Sequence, residues 1–245
     1  MKKQIRLFGI LGFTLLMFST HVFASDLPLA LVWNGPGACK PGCAKAAAKV
    51  AQRAGFYTYY IYPGMTDFSI FKKAKLWVQP GGTSVVAANS MGPALLAQIR
   101  QFVADGGGYI GFCAGAFLST AMIGDSGVTG YGVAPGETEL FIKTGSDHKM
   151  LNVTTKDGTR WVYYAGGPFF HITDEQLAAQ QGEIIARYAD GSIAGVKAHY
   201  GKGKIAVTGF HPEAGWLWKL WKFKIDPDGN DFAFAIDMAK YATSP

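Results

Sequence analysis

Tyr109-Ile110-Gly111-Phe112-Cys113-Ala114-Gly115 reads as a strand that runs straight into a cysteine, with a helix beginning behind it. Upstream, short apolar runs alternate with helical stretches. Leu29 to Trp33 is a buried strand ended by Asn34-Gly35-Pro36-Gly37, and Ala44 to Ala54 is a helix closed by Gly55. Phe56 to Tyr62, aromatic and β-branched, is a second strand, and Lys75 to Gln79 is a third, stopped by Pro80-Gly81-Gly82. Pro93 to Asp105 has helical spacing, with proline near its start and Gly106 past its end. Such alternation, sustained from Leu29 to about Ala121, predicts βαβ units and a mostly parallel sheet. The fold class is α/β.

The middle of the chain reads differently. Glu137 to Lys143, Leu151 to Thr155 and Trp161 to Tyr164 are strand-like runs separated by glycine-rich turns, which predicts an antiparallel excursion off the main sheet. Ile184 to Ala189 and Ser192 to His199 form a hairpin turning at Asp190-Gly191. Lys204 to Phe210 is the last buried strand and Phe232 to Tyr241 the closing helix. With 245 residues, 49% hydrophobic, the chain is long enough for one well-buried domain, expected over residues 25–245, and short for two.

Residues 1–24 are set apart. Lys2, Lys3 and Arg6 precede an uncharged apolar run, Leu7 to Phe18, and Val22-Phe23-Ala24 offers small residues to a signal peptidase. This is the pattern of a secretory signal cut after Ala24, which predicts a periplasmic or extracellular protein. An uncleaved anchor is the alternative, but the run is shorter than the roughly 20 residues that span a bilayer. No later segment is long and apolar enough, so no stable membrane insertion is expected after cleavage. Loss of Lys2, Lys3 and Arg6 lowers the formal charge from +6 to +3, too little to argue for nucleic acid.

Chemistry is expected at Cys113. The glycines flanking Phe112-Cys113-Ala114 permit a sharp strand-to-helix turn that lifts a nucleophile clear of the backbone. A helix that starts behind a sulfur favours its thiolate. Taken alone, the pentapeptide also suits a buried, inert cysteine. Gly209-Phe210-His211-Pro212-Glu213 follows the last strand. On an extended segment, residues two apart face the same side, so Glu213 can orient the His211 imidazole and leave its other nitrogen for a thiol. Ligands of open parallel sheets bind beyond the carboxyl ends of the strands, where both motifs fall. Pro80-Gly81-Gly82-Thr83 adds a loop whose main chain can come close. An N–H of Gly81 or Gly82 could join that of Ala114 in an oxyanion hole.

These three motifs, in this order, resemble the class I glutamine amidotransferase-like superfamily. More narrowly, Trp33-Asn34-Gly35-Pro36-Gly37, Gly81-Gly82-Thr83-Ser84 and Tyr163-Tyr164-Ala165-Gly166-Gly167-Pro168 resemble the domain at the N-terminus of eukaryotic biotin-protein ligases, which also occurs as stand-alone bacterial proteins. The resemblance covers nearly all of residues 28–240. It implies a flavodoxin-like, doubly wound sandwich with Cys113 as nucleophile, His211 as base and Glu213 as its partner. It also implies oxyanion or substrate contacts from Gly82 and Ala114, with Gly81, Asn34, Gly166 and Gly167 on the same rim.

The sequence departs from relatives of this kind in ways that narrow the expectation. No biotin-ligase catalytic domain follows, so biotin transfer is not expected. The protease and deglycase branch lacks a His-Pro-Glu ending. A glutamine amidotransferase feeds ammonia to a synthase that usually consumes ATP, which an exported protein rarely meets. The reading is a cysteine-dependent enzyme acting on a small-molecule or peptide amide, or on a γ-glutamyl-type carbonyl, with no cofactor. Two alternatives stay open: a binding or redox-sensing protein on the same fold, and a partner-dependent amidotransferase subunit.

The remaining signals are weaker. Cys39 and Cys43 leave Cys113 as the odd cysteine of three, which suggests one short-loop bridge plus a free thiol. Zinc at Cys39 and Cys43 lacks completing ligands, and His148, His171 and His199 have no ligand spacing, so no metal is expected. Tyr163 to His171 is either a substrate-facing loop or a packed turn. Trp216 to Lys224 has the spacing of an amphipathic helix, with a membrane or glycan contact as the alternative. Asp226-Pro227-Asp228-Gly229-Asn230-Asp231 is expected to be a turn that caps the last helix rather than a calcium loop.

Overall fold

The computed structural model describes residues 27–40, 42–144, 148–215, 218 and 226–245. The expected signal peptide and, apart from Trp218, the stretch 216–224 lie outside the described residues. The frame is a sheet of strands in the order β2-β1-β3-β4-β11-β10-β9-β6-β7. Its parallel part comprises β2 (Tyr57–Ile61), β1 (Leu29–Trp33), β3 (Ala74–Gln79), β4 (Gly108–Phe112) and β11 (Gly203–Thr208). β1, β3, β4 and β11 are buried along nearly their whole length, as expected of strands covered on both faces.

Helices cover both faces. On one lie α2 (Ser84–Ala104) and α3 (Ala114–Ser119), packed through Leu95, Ile99 and Leu118 on Leu31, Trp77 and Ile205. On the other lie α1 (Cys43–Arg53) and α5 (Phe232–Ala242), whose Ala47, Ala51, Ala235 and Ala239 meet Val32, Val78 and Ile110. Small side chains on these helices let them sit close to the sheet. The helix read from Pro93 onward begins earlier, at Ser84. Gly92 has φ +70 and breaks α2 into two pieces, and Pro93 starts the second.

The middle of the chain runs antiparallel, as expected, and most of it extends the main sheet rather than leaving it. β10 (Ile193–Tyr200) pairs with β11, β9 (Glu183–Tyr188) with β10, β6 (Lys149–Thr155) with β9, and β7 (Gly158–Tyr164) with β6. They extend the same hydrogen-bonded surface because each edge is covered by the next strand. Only β5 (Glu137–Leu140) and β8 (Pro168–His171) lie off this path, pairing with each other, with β8 touching β10. A short helix, α4 (Asp174–Ala179), follows β8 and opens with a capping box between Thr173 and Gln176. At the start of α5, the Asp231 side chain does not cap the helix but pairs with Arg160 at 2.9 Å. Asn230 accepts from the Phe232 N–H instead.

Candidate active site

The sheet register brings the motifs together. In parallel pairs, Phe112 lies opposite Thr208 and Gly111 opposite Gln79. The segments that follow β3, β4 and β11 therefore leave the sheet over the same edge. The Cys113 N–H donates to the Thr208 carbonyl at 2.8 Å, which carries the pairing one residue further.

Cys113 itself has φ +51 and ψ −100, a left-handed backbone that side chains other than glycine rarely adopt. Holding it there costs about 1–3 kcal/mol, so its surroundings must enforce it. They do so through close approaches. A methyl built on Gly111 would lie 2.7 Å from the Gly115 carbonyl, and one on Gly115 would lie 2.5 Å from the Gln79 carbonyl. The Tyr109 hydroxyl donates to the Gly115 carbonyl at 2.6 Å. Beneath this turn, Gln79 is buried and its Oε1 accepts from Trp77 Nε1 at 3.1 Å and from the Tyr131 hydroxyl at 2.7 Å.

His211 and Glu213 are buried against this elbow. The His211 Nδ1 and the Glu213 carboxylate are 2.8 Å apart, and the Cys113 sulfur acts electrostatically on the same imidazole. In its neutral form the thiol has the Ala165 carbonyl as an acceptor at 3.5 Å. Burial, the largest single influence, pushes the imidazole down. The Glu213 charge and hydrogen bond, together with the Cys113 sulfur, outweigh it and lift His211 to about 10. The arrangement therefore favours an imidazolium between a carboxylate and a sulfur.

The other predicted positions fall around this core. Gly81 lies against the imidazole, where a methyl would be 2.3 Å from Cε1. Gly82, with φ +138, is bridged to Ala38, and a methyl there would be 1.9 Å from the Gly37 carbonyl. Ala114 opens α3 directly behind the sulfur. Gly166 has φ +70, and Gly167 backs onto Gly209 so closely that a methyl would meet the Gly209 carbonyl at 1.6 Å. Asn34 follows β1, but its side chain turns to the Tyr62 hydroxyl at 3.1 Å. Cys39 and Cys43 are joined in a disulfide, leaving Cys113 as the free thiol.

Three contacts were not foreseen. The Tyr163 ring stands edge-on to the imidazole at 6.0 Å between centroids, and its hydroxyl is bonded to His148. The segment read as either loop or turn thus holds the end of β7, all of β8 and a wall of the site. Burial pushes the Tyr163 hydroxyl up to about 12, so it is neutral there. Trp218 packs edge-on against His211 at 5.6 Å and against Tyr163 at 6.1 Å. The Ala165 carbonyl is the third. A signal existed for two of them, because Gly166-Gly167 and Gly209 mark a close crossing of chains; nothing local marks Trp218.

The site is closed: Cys113 is 2% exposed, His211 3% and Glu213 0%. Two surface clefts lie elsewhere. One, of about 560 Å³, is lined by Phe169, His171 and Gln176. The other, of about 410 Å³, is lined by Ser84, Val85 and Phe117, next to the glycine loop and α3. Cys113 lines neither.

A parallel sheet wrapped by helices, with a cysteine elbow after β4 and a His-Pro-Glu segment after β11, defines a protein with the glutamine amidotransferase-like fold. Solved structures that share it include a glutamine amidotransferase (TM-score 0.59, 17% identity, 86% of this chain and 99% of that one) and the PurLQS structure from Thermotoga maritima (TM-score 0.58, 18% identity, 86% and 97%). Within that fold, residues 30–129 match the family described as "Biotin-protein ligase, N terminal". The biotin–protein ligase of Schizosaccharomyces pombe (strain 972 / ATCC 24843) is 28% identical over 162 residues, covering 56% of this chain. The match spans 25% of that ligase's length. Residues 30–129 thus resemble the biotin-protein ligase N-terminal family in sequence, and the chain has a glutamine amidotransferase-like fold.

Proposed function

We propose that this protein is an exported enzyme that uses Cys113 to cleave or transfer an amide or γ-glutamyl-type acyl group. The Cys113 sulfur attacks the carbonyl carbon, and the oxygen takes the charge near the N–H groups of Ala114 and Gly81 or Gly82. Collapse breaks the C–N bond as the His211 imidazolium gives its proton to the leaving amine, forming a thioester. Water, or an acceptor amine, then attacks the thioester and passes a proton to His211, and the sulfur leaves. Glu213 keeps the ring oriented and supports its charge throughout. Asn34, Gly166 and Gly167 stand on the rim as substrate contacts, and residues 1–24 direct the chain out of the cytoplasm.

One observation carries this reading: a single buried imidazole, bonded through Nδ1 to the Glu213 carboxylate, lies within electrostatic reach of the Cys113 sulfur. The test is a screen of amides and γ-glutamyl compounds with wild type and Cys113→Ser. Turnover by the wild type and none by the variant supports it. The burial of the sulfur favours a second reading, a binding or redox-sensing protein that turns nothing over. On that reading Cys113 reacts with iodoacetamide like an ordinary thiol, with or without His211.

A further inference from the structure

We propose that the Cys39–Cys43 disulfide is a redox-sensitive brace that holds the His211 imidazole in register with the Cys113 sulfur. The inference rests on the thiol–imidazole reading above and assigns a role to the bridge beyond it.

Two separate routes connect the bridge to the ring. Along the first, the Cys39 N–H donates to the Gly81 carbonyl at 3.1 Å, and Gly81 is the residue lying against Cε1 of the imidazole. The bridge between Ala38 and Gly82 and the Thr83 N–H donated to the Gly37 carbonyl at 2.7 Å fasten the same two loops together. Along the second, Gly42 backs onto Trp218, where a methyl would be 3.2 Å from Nε1, and the Trp218 ring packs edge-on against the imidazole. Cys43 is wholly buried at the head of α1, so the disulfide anchors Cys39 to a fixed point four residues away. Cys39 is only half-buried, within reach of a small reductant.

Among the described residues, the titratable groups at the imidazole are Glu213, Cys113 and Tyr163, the last bonded to His148. None belongs to the braced loop, whose Lys40 is exposed. Opening the bridge therefore acts on the ring through position and not through a lost charge. A dithiol supplies two electrons and two protons, leaves as its own disulfide, and converts the bridge to two thiols. Gly81 and Trp218 are then less firmly held, and the Cys113 sulfur loses part of its contact with the imidazole.

The experiment follows carbamidomethylation of Cys113, by peptide mass, from about pH 5 to pH 9. It compares the bridged protein, the same protein reduced with dithiothreitol and desalted, Cys39→Ser/Cys43→Ser, and His211→Ala. The bridged protein is expected to react about tenfold faster than the reduced and double-serine forms near pH 6, with the curves converging near pH 9. Reoxidation should restore the rate in the same sample, which keeps the test sound if the double variant folds poorly. If the bridge merely staples the surface, opening it lowers the melting temperature and leaves the pH profile unmoved, and that result overturns the proposal. Faster reaction at every pH on reduction also overturns it, because the loop would then be a cover. If His211→Ala is slow while reduction has no effect, the brace alone fails. If His211→Ala reacts like wild type, the brace and the thiol–imidazole reading fail together.

Discussion

Gly81 and His211 are in direct contact: a methyl on the Gly81 Cα would sit 2.3 Å from Cε1 of the imidazole, closer than any non-bonded pair of carbons tolerates. The ring has nowhere to retreat, since it is 3% exposed and held at Nδ1 by Glu213. The Gly81 backbone is not in the left-handed region, so alanine there is a steric change and not a conformational one. Gly81→Ala is expected to shift the imidazole away from the sulfur. Alkylation of Cys113 near neutral pH should slow about tenfold or more, while far-ultraviolet circular dichroism stays unchanged.

The charge on His211 gives a prediction in pH. Its imidazole is lifted from an ordinary 6.5 to about 10 in the folded protein. A folded-state value raised above the unfolded one stabilises fully below the unfolded value and is lost as pH climbs through the folded one. The window therefore runs from about 6.5 up to about 10. Glu213→Gln removes the largest influence that raises the imidazole and leaves burial to push it down. The melting temperature of the wild type should exceed that of Glu213→Gln most near pH 6, with the gap closing as pH rises through about 10. A gap constant across that range would show that the ring is neutral in the folded state.

Much of this site was legible because its parts are turn residues at strand ends. Gly111-x-Cys113-x-Gly115 and His211-Pro212-Glu213 declare themselves locally, and the runs before them are apolar enough to be read as buried strands. What stayed hidden depends on tertiary contact. The first half of α2 was not read because Gly92-Pro93 mimics a helix start although helix precedes it. β8 was not read because Pro168–His171 follows two glycines, and its pairing with β5 is fixed by distant residues. Trp218 touches the imidazole from a stretch whose lysines and aromatics suggested an amphipathic surface helix.

Two glycines separate packing from mere presence. A methyl on Gly167 would lie 1.6 Å from the Gly209 carbonyl, and one on Gly209 would lie 1.8 Å from the Pro168 carbonyl. This crossing locks the Ala165 wall to the segment that carries His211. Gly167→Ala is expected to destabilise the protein by about 4 kcal/mol or more, or to prevent soluble expression. Gly215→Ala meets nothing within 4 Å and has no left-handed backbone, so its melting temperature should match the wild type. Chemical denaturation of the pair checks both.

Asn34 lies after β1, with its side-chain amide donating to Tyr62 in an exposed hydrogen bond. Removing an exposed hydrogen bond costs well under about 1 kcal/mol, so Asn34→Ala should fold normally. It should also leave the reaction of Cys113 with iodoacetamide unchanged, because no contact with the sulfur or the imidazole is lost. A substrate large enough to reach the rim tests more. If Asn34 grips it, the variant raises KM about tenfold at nearly constant kcat, the pattern of lost uniform binding. A fall in kcat with KM unchanged would instead place Asn34 in contact with the reacting atoms. That outcome would require its amide to leave Tyr62 during turnover, and Tyr62→Phe, which frees the amide beforehand, should then raise kcat.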